Sequence, residues 1–321
     1  MNWPAERSCP FDDRTPNLRA CWGRSRGLLS ALRDRLVTAG VAERVRTVYV
    51  SGSLGRMEVV GTSDCDAVVV LTEEDRLEPG DVMDVVFDCV EAVGFQRPKP
   101  AGIFGSPTSF EQLLDPSTAG KVDEDQGVFG KRIQALLDSQ SLLHAGEFEQ
   151  LQSAILERYV SAPRADKSAF EYGWLLDDLI RYWRSLCART RWFCHDDMVQ
   201  WRAVNVKLRH SRMLLCAGLF RLLHVVATVG CELRDELKLV PAERVFPDVG
   251  TGEALLLRED ALLRYDAFMG AMQENLKDVV RDDSRFAQLI DNGATLSRLV
   301  GQCLQVEFGD RVANGLFGEL S

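Results

Sequence analysis

Apolar residues recur along this chain in two rhythms, and the change from one to the other divides it. Over Asn17 to Ala39, residues Leu18, Cys21, Trp22, Leu28, Leu29, Leu32 and Leu36 fall at helical spacing, and Gly40 stands where a C-cap belongs. Short continuous apolar runs follow, Val45 to Val50 and Cys65 to Leu71, of the length expected for buried strands. Helical spacing returns with Val82, Val85, Val86, Cys89 and Val90, and stops before Gly94. Between residues 97 and 128, Pro98, Pro100, Gly102, Gly105 and Pro107 predict loops around one short strand near Ile103-Phe104. Loops of that length in a compact domain tend to cover a site or form one. A later strand carrying Asp138 would complete a mixed sheet.

From Glu147 onward nearly every segment has helical periodicity, with breaks expected at Pro163, Pro241, Pro247-Asp248-Val249-Gly250 and Gly293. The shift predicts an α/β (α+β) domain with a mixed sheet over residues 1–146 and an all-helical domain over 147–321. Within the second, Trp201 to Leu223 is apolar around its whole circumference, which marks a buried helix. Yet Arg202, Lys207, Arg209, His210, Ser211 and Arg212 are threaded through it. Buried cations need carboxylate or phosphate partners. At about 100° per residue, Arg202, Arg209 and Arg212 share one side with Asn205, and Lys207 and Ser211 lie on the opposite side. The first side suits pairing with Asp177 and Asp178, the second a cleft against the sheet domain.

The candidate chemistry lies between the two apolar runs. Gly52-Ser53 closes the first, and Asp64-Cys65-Asp66 opens the second. On an extended strand Asp64 and Asp66 project to the same face, where each raises the other's pKa unless a cation intervenes. A hard divalent ion held by one or two carboxylates and substrate phosphate oxygens is the usual magnesium arrangement. Gly52 lets a phosphate approach without a Cβ in the way, Ser53 offers a hydroxyl and free backbone N–H groups at a helical turn, and Arg56 a guanidinium fork. The plain alternative is an ordinary turn followed by an edge strand with a solvated acid. Both halves in this order and spacing favour a phosphate and metal site.

At these residues the chain resembles the DNA polymerase β nucleotidyltransferase superfamily, whose signature is an apolar residue, Gly-Ser, a gap of this length and Asp-x-Asp on the next strand. Gly52, Ser53, Asp64 and Asp66 match it one by one. The resemblance implies transfer of a nucleoside monophosphate from an NTP, with ATP or UTP favoured, assisted by two Mg2+ ions. It also implies a third carboxylate from a later strand. The candidate is Asp138 in Leu136-Leu137-Asp138, similar to a segment of bacterial PII-protein uridylyltransferases and their relatives; Asp84, Asp88 and Glu111 rank behind it. Those relatives carry Arg two positions after the Asp, where this chain has Gln140. Arg132 to Leu143 can also be read as helical, which would make Asp138 a surface acid. Superfamily members commonly bring a Lys and a Ser from the following helical domain to the triphosphate, a role that falls here to Lys207 and Ser211.

Composition narrows the partners. A formal net charge of -10 argues against long nucleic acid as the main partner, and leaves a protein or small-molecule acceptor. Nine cysteines without a CxxC pair, and an N-terminus without a signal-type run, suggest a reduced, cytoplasmic setting. No apolar stretch approaches membrane-spanning length. Cys194-His195 lacks a second spaced pair and does not read as a zinc site. Two rivals stand beside the transferase: a second-messenger synthase using the same site, and a nucleotide-sensing regulator that no longer turns over.

Overall fold

The computed structural model describes residues 3–309 except 78, 99–101, 118, 122–123, 161–172, 193–195, 230–232 and 248–251. Pro163, Cys194, His195 and residues 248–250 therefore lie outside the described residues. The chain is mostly helical around a small mixed four-stranded sheet, an α+β arrangement. The strands are β1 Thr47–Ser51, β2 Asp66–Leu71, β3 Thr108–Ser109 and β4 Gln140–Leu143, ordered β3-β2-β1-β4. β1 is antiparallel to both β2 and β4, and β3 runs parallel to β2.

Both faces of the sheet are covered, which explains why β1 and β2 read as continuous apolar runs and not as alternating ones. Val48 and Val50 of β1 and Ala67, Val69 and Leu71 of β2 pack against Trp22, Leu29, Leu32 and Leu36 of the Pro16–Thr38 helix and Val82, Val86 and Val90 of the Val82–Ala92 helix. Tyr49, Val68 and Val70 point the other way, toward Ile133, Leu136, Phe148 and Leu151. That second core continues without a break into the C-terminal helices through Leu214, Phe220, Phe268 and Leu296.

The Ala145–Val160 helix begins where the helical region was expected, and it lies on the sheet, with Phe148 stacked on Tyr49 at 4.7 Å between ring centroids. Polar ties also cross the expected boundary. Arg244, only 1% exposed, donates to the carbonyls of Leu136 and Leu137 at 3.0 and 2.6 Å, closing the C-terminus of the Gln126–Leu137 helix. A cation there satisfies orphan carbonyls and complements the helix dipole. Asp266 accepts from Leu18 N–H and Asn17 at 2.8 Å each.

Three expectations are corrected. Ile103 and Phe104 form a turn closed by Gly105 N–H on Gly102 O at 2.9 Å, and the short strand is Thr108–Ser109, where the chain meets the edge of β2. Arg132 to Leu143 is neither all helix nor a strand through Asp138: a helix ends at Leu137, and β4 begins at Gln140. Gly293 does not break a helix, since Asp283–Phe308 runs through it. A Cβ there would lie 2.9 Å from both Arg209 Cβ and His210 Cε1, so the glycine serves close packing.

The helix opposite Gly293 is itself irregular. Met198–Lys207 continues through a π-turn, Leu208–Arg212, into Met213–Val229. His210, fully buried in that turn, stacks on Phe268 at 4.4 Å, donates from Nδ1 to Val206 O at 2.7 Å, and takes Asn292 Nδ2 at Nε2 at 3.1 Å. Burial pushes its pKa from 6.5 down to about 4. Between those values the unfolded chain holds a proton that the folded chain does not, so stability falls as pH drops through this window. Urea titrations from pH 7 to pH 4 should show a loss on the order of 3 kcal/mol from this residue, and His210→Gln should flatten the slope.

Candidate active site

β1 ends in a turn that strongly favours glycine. Gly52 has φ +67°, and an added Cβ would lie 2.3 Å from Asp66 Oδ2. Ser51 pairs with Asp66 across the β1–β2 ladder, so their side chains share a face. It is the face that the C-terminal helices cover, because Val68 and Val70 continue the Asp66 row into that core. The helical turn Gly52–Gly55 follows. Gly55 is a second obligate glycine: its Cβ would meet Asp138 O at 2.0 Å.

The register of β1 and β4 brings Asp138 to the same place. Val50 pairs with Gln140, and two residues beyond that pair on each chain segment Gly52 stands by Asp138. Gly52 N–H donates to Asp138 Oδ2 at 3.1 Å, and Arg56 Nη1 donates to the same oxygen at 2.6 Å. Arg56 Nε donates to Glu58 at 2.8 Å, and Tyr265 OH donates to the other Glu58 oxygen at 2.5 Å. Gln140 donates to Gly55 O at 2.6 Å and accepts from Ala5 N–H at 3.3 Å. It holds the turn from beneath.

Electrostatics follow from this crowding. Burial, then Asp64 and Asp138, raise the Asp66 pKa to about 7, against the pull of Arg56 and Arg212. Burial raises Asp138 too, and Arg56 opposes it. Burial alone would lower Arg56, but Glu58 and Asp138 hold it above the ordinary guanidinium range. Asp64 is exposed and precedes β2, which starts at Asp66, so the two acids do not form the two-residue strand row expected of them. A turn closed by Ser63 N–H on Val60 O delivers Asp64 to the rim.

The helical half contributes Lys207, Ser211 and, unexpectedly, Arg212. Alpha-helical counting puts Arg212 with Arg202 and Arg209, but the i→i+5 spacing of a π-turn returns Arg212 to the side of Lys207. Burial lowers the pKa of both, and Asp64 and Arg56 act on both. The expected lattice with Asp177 and Asp178 does not form. Asp178 binds Tyr159 OH at 2.6 Å and lies near Arg132 and Arg181; Arg209 binds Asn205, and Arg202 binds Asp283. Ser211, 6% exposed, points its hydroxyl back to Lys207 O at 3.4 Å.

Four buried polar atoms of this cluster have no hydrogen-bond partner among the described residues: Ser51 Oγ, Ser53 Oγ, Asp138 Oδ1 and Arg212 Nη1. Buried polar groups are nearly always satisfied, so the three donors among them, the two serine hydroxyls and Arg212 Nη1, suggest an anionic ligand. For a cation, the crowded Asp64–Asp66 pair fits, since a positive charge would relieve the repulsion that lifts Asp66. A three-acid set does not fit equally well: Asp138 is taken up by Arg56 and Gly52, and no group of three His, Cys, Asp or Glu suited to a metal occurs among the described residues. Sequence reasoning missed Glu58, Tyr265 and Arg212. Only the short Arg56-x-Glu58 spacing beside the turn could have signalled the first.

No family model matches this chain, and a search of curated proteins finds no match either.

Gly52→Ala should destabilise the fold by about 1–3 kcal/mol through φ strain and the clash with Asp66. Gly61→Ala, with open space around it and no positive φ, should stay within about 0.5 kcal/mol. Chemical denaturation of the two variants side by side checks the contrast.

Proposed function

We propose that the chain is a magnesium-dependent nucleotidyltransferase that moves a nucleoside monophosphate from an NTP, ATP or UTP, to a hydroxyl of a protein or small-molecule acceptor. The observation that carries this reading is the contact of Gly52 with Asp66, a turn with no Cβ pressed against a crowded carboxylate, with the Ser51 and Ser53 hydroxyls unpartnered beside it. The bare turn admits a phosphate, and Ser53 Oγ donates to it. Lys207 and Arg212 are within electrostatic reach of Asp64 and would balance the polyphosphate charge. Asp64 and Asp66 would hold the cation, which when bound supplies charge neutralisation on the transferring phosphate and leaving group. The acceptor oxygen attacks the α-phosphorus, the bond to the β-phosphate oxygen breaks, pyrophosphate leaves with the electron pair, and the acceptor proton passes to the carboxylate cluster.

A second reading has its own support. Arg56 neutralises Asp138, the acid expected to complete the catalytic set, and a chain that keeps the nucleotide cradle while occupying that acid would serve as a nucleotide sensor. Among the described residues no helix is long and apolar enough to cross a membrane.

Incubating the chain with each labelled NTP, Mg2+ and a cell lysate tests both. A transferase labels an acceptor and releases pyrophosphate, and Asp64→Ala/Asp66→Ala should lower that rate about a thousandfold or more. Its melting temperature should hold or rise, because repulsion at Asp66 is relieved. Saturable NTP binding without pyrophosphate release favours the sensor.

A further inference from the structure

Asp138 is placed where a third metal ligand would be sought, yet its contacts assign it other work. One carboxylate oxygen is shared by Gly52 N–H at 3.1 Å and Arg56 Nη1 at 2.6 Å. The other is sealed from solvent without a partner. The main chain is equally constrained, with Asp138 O against the bare α-carbon of Gly55 and the preceding carbonyls of Leu136 and Leu137 held by Arg244. Arg56 is committed as well, because its Nε lies on Glu58, which is fixed by Tyr265 from the Glu253–Gln273 helix. The side chains of Asp138, Glu58 and Arg56 are 4, 7 and 14% exposed. Turning Asp138 outward to a cation would leave a buried guanidinium beside one acid where it now has two, and would strand the Gly52 amide. Breaking one side of a buried ion pair is strongly unfavourable, because the remaining charge stays buried and uncompensated.

We infer that Asp138 is a positioning residue that fixes the Gly52 turn through Arg56, Glu58 and Tyr265, and that Asp64 and Asp66 alone hold a single divalent cation. The inference rests on the reading that these two acids bind a divalent cation. Its consequence is that the C-terminal helices set the geometry of the phosphate-facing turn through one buried chain of four side chains. Asp138 holds the turn closed and stays out of the cation's coordination.

The test counts Mn2+, which favours the same oxygen ligands, by electron paramagnetic resonance of the full chain, alone and with inorganic tripolyphosphate. One Mn2+ per chain is expected in both conditions. Asp64→Asn and Asp66→Asn should each weaken it by about tenfold or more, as loss of a charged ligand does. Asp138→Asn should change it by less than about threefold, the scale of a screened charge outside the coordination shell, while lowering the melting temperature. In urea, Arg56→Gln/Asp138→Asn should lose less stability than the two single variants summed. Two bound Mn2+ ions in the unaltered chain, or an Asp138→Asn loss matching Asp64→Asn, overturns the inference and leaves the cation reading standing. No Mn2+ binding by the unaltered chain, with or without tripolyphosphate, overturns both. The stoichiometry needs no variant, so it tests the single-ion claim even if Asp138→Asn fails to fold. Asp138→Glu, which keeps the charge on a longer side chain, then tests the ligand claim by the same affinity comparison: a change below about threefold is expected, and a loss matching Asp64→Asn overturns it.

Discussion

Crowding three carboxylates around one small turn is the constraint on which the rest of this structure depends. Asp66, Asp138 and Glu58 converge near Gly52, and Arg56 is the cation threaded between the last two. Burial, joined by the charges of Asp64 and Asp138, raises the Asp66 pKa to about 7. The backbone comes so close to the Asp66 carboxylate at Gly52, and to the main-chain carbonyl of Asp138 at Gly55, that neither position has room for a Cβ.

Much of the tertiary structure supports that turn. β4 is paired to β1 so that Asp138 arrives beside Gly52, Gln140 carries the turn on its amide, and Arg244 ties off the helix that precedes Asp138. Tyr265 reaches the same cluster from a helix more than two hundred positions away in sequence. The helical half therefore does more than close over the sheet. It shares a core with Tyr49, Val68 and Val70 and supplies the cations that oppose Asp64.

The parts of this arrangement that could be read in advance are those with short-range causes. A helix from Pro16 to Thr38, strands at Thr47 and Asp66, and a glycine turn facing an acid all follow from periodicity, or from one residue's missing Cβ. Ile103-Phe104 had the composition of a strand, but its flanking glycines close a turn, and the strand forms five residues on, where a partner edge exists. Gly293 had the look of a helix break and is instead a packing notch for His210. In both cases the decisive contact is with a residue far away in sequence, which local patterns do not contain.

Arg212 marks the limit most clearly. Counting at 100° per residue places it with Arg209, and only the π-turn at Leu208–Arg212, fitted against Gly293 and Phe268, turns it toward Lys207 and the acids. By itself the sequence marked Gly52, Ser53, Asp64 and Asp66 as candidates for phosphate and cation chemistry through their types and spacing, and set the strand that ends just before Gly52 and the one that starts at Asp66. Tertiary structure alone decided how Asp138, Arg56, Lys207 and Arg212 are used, because the energy of a buried charge depends on which distant groups fold against it.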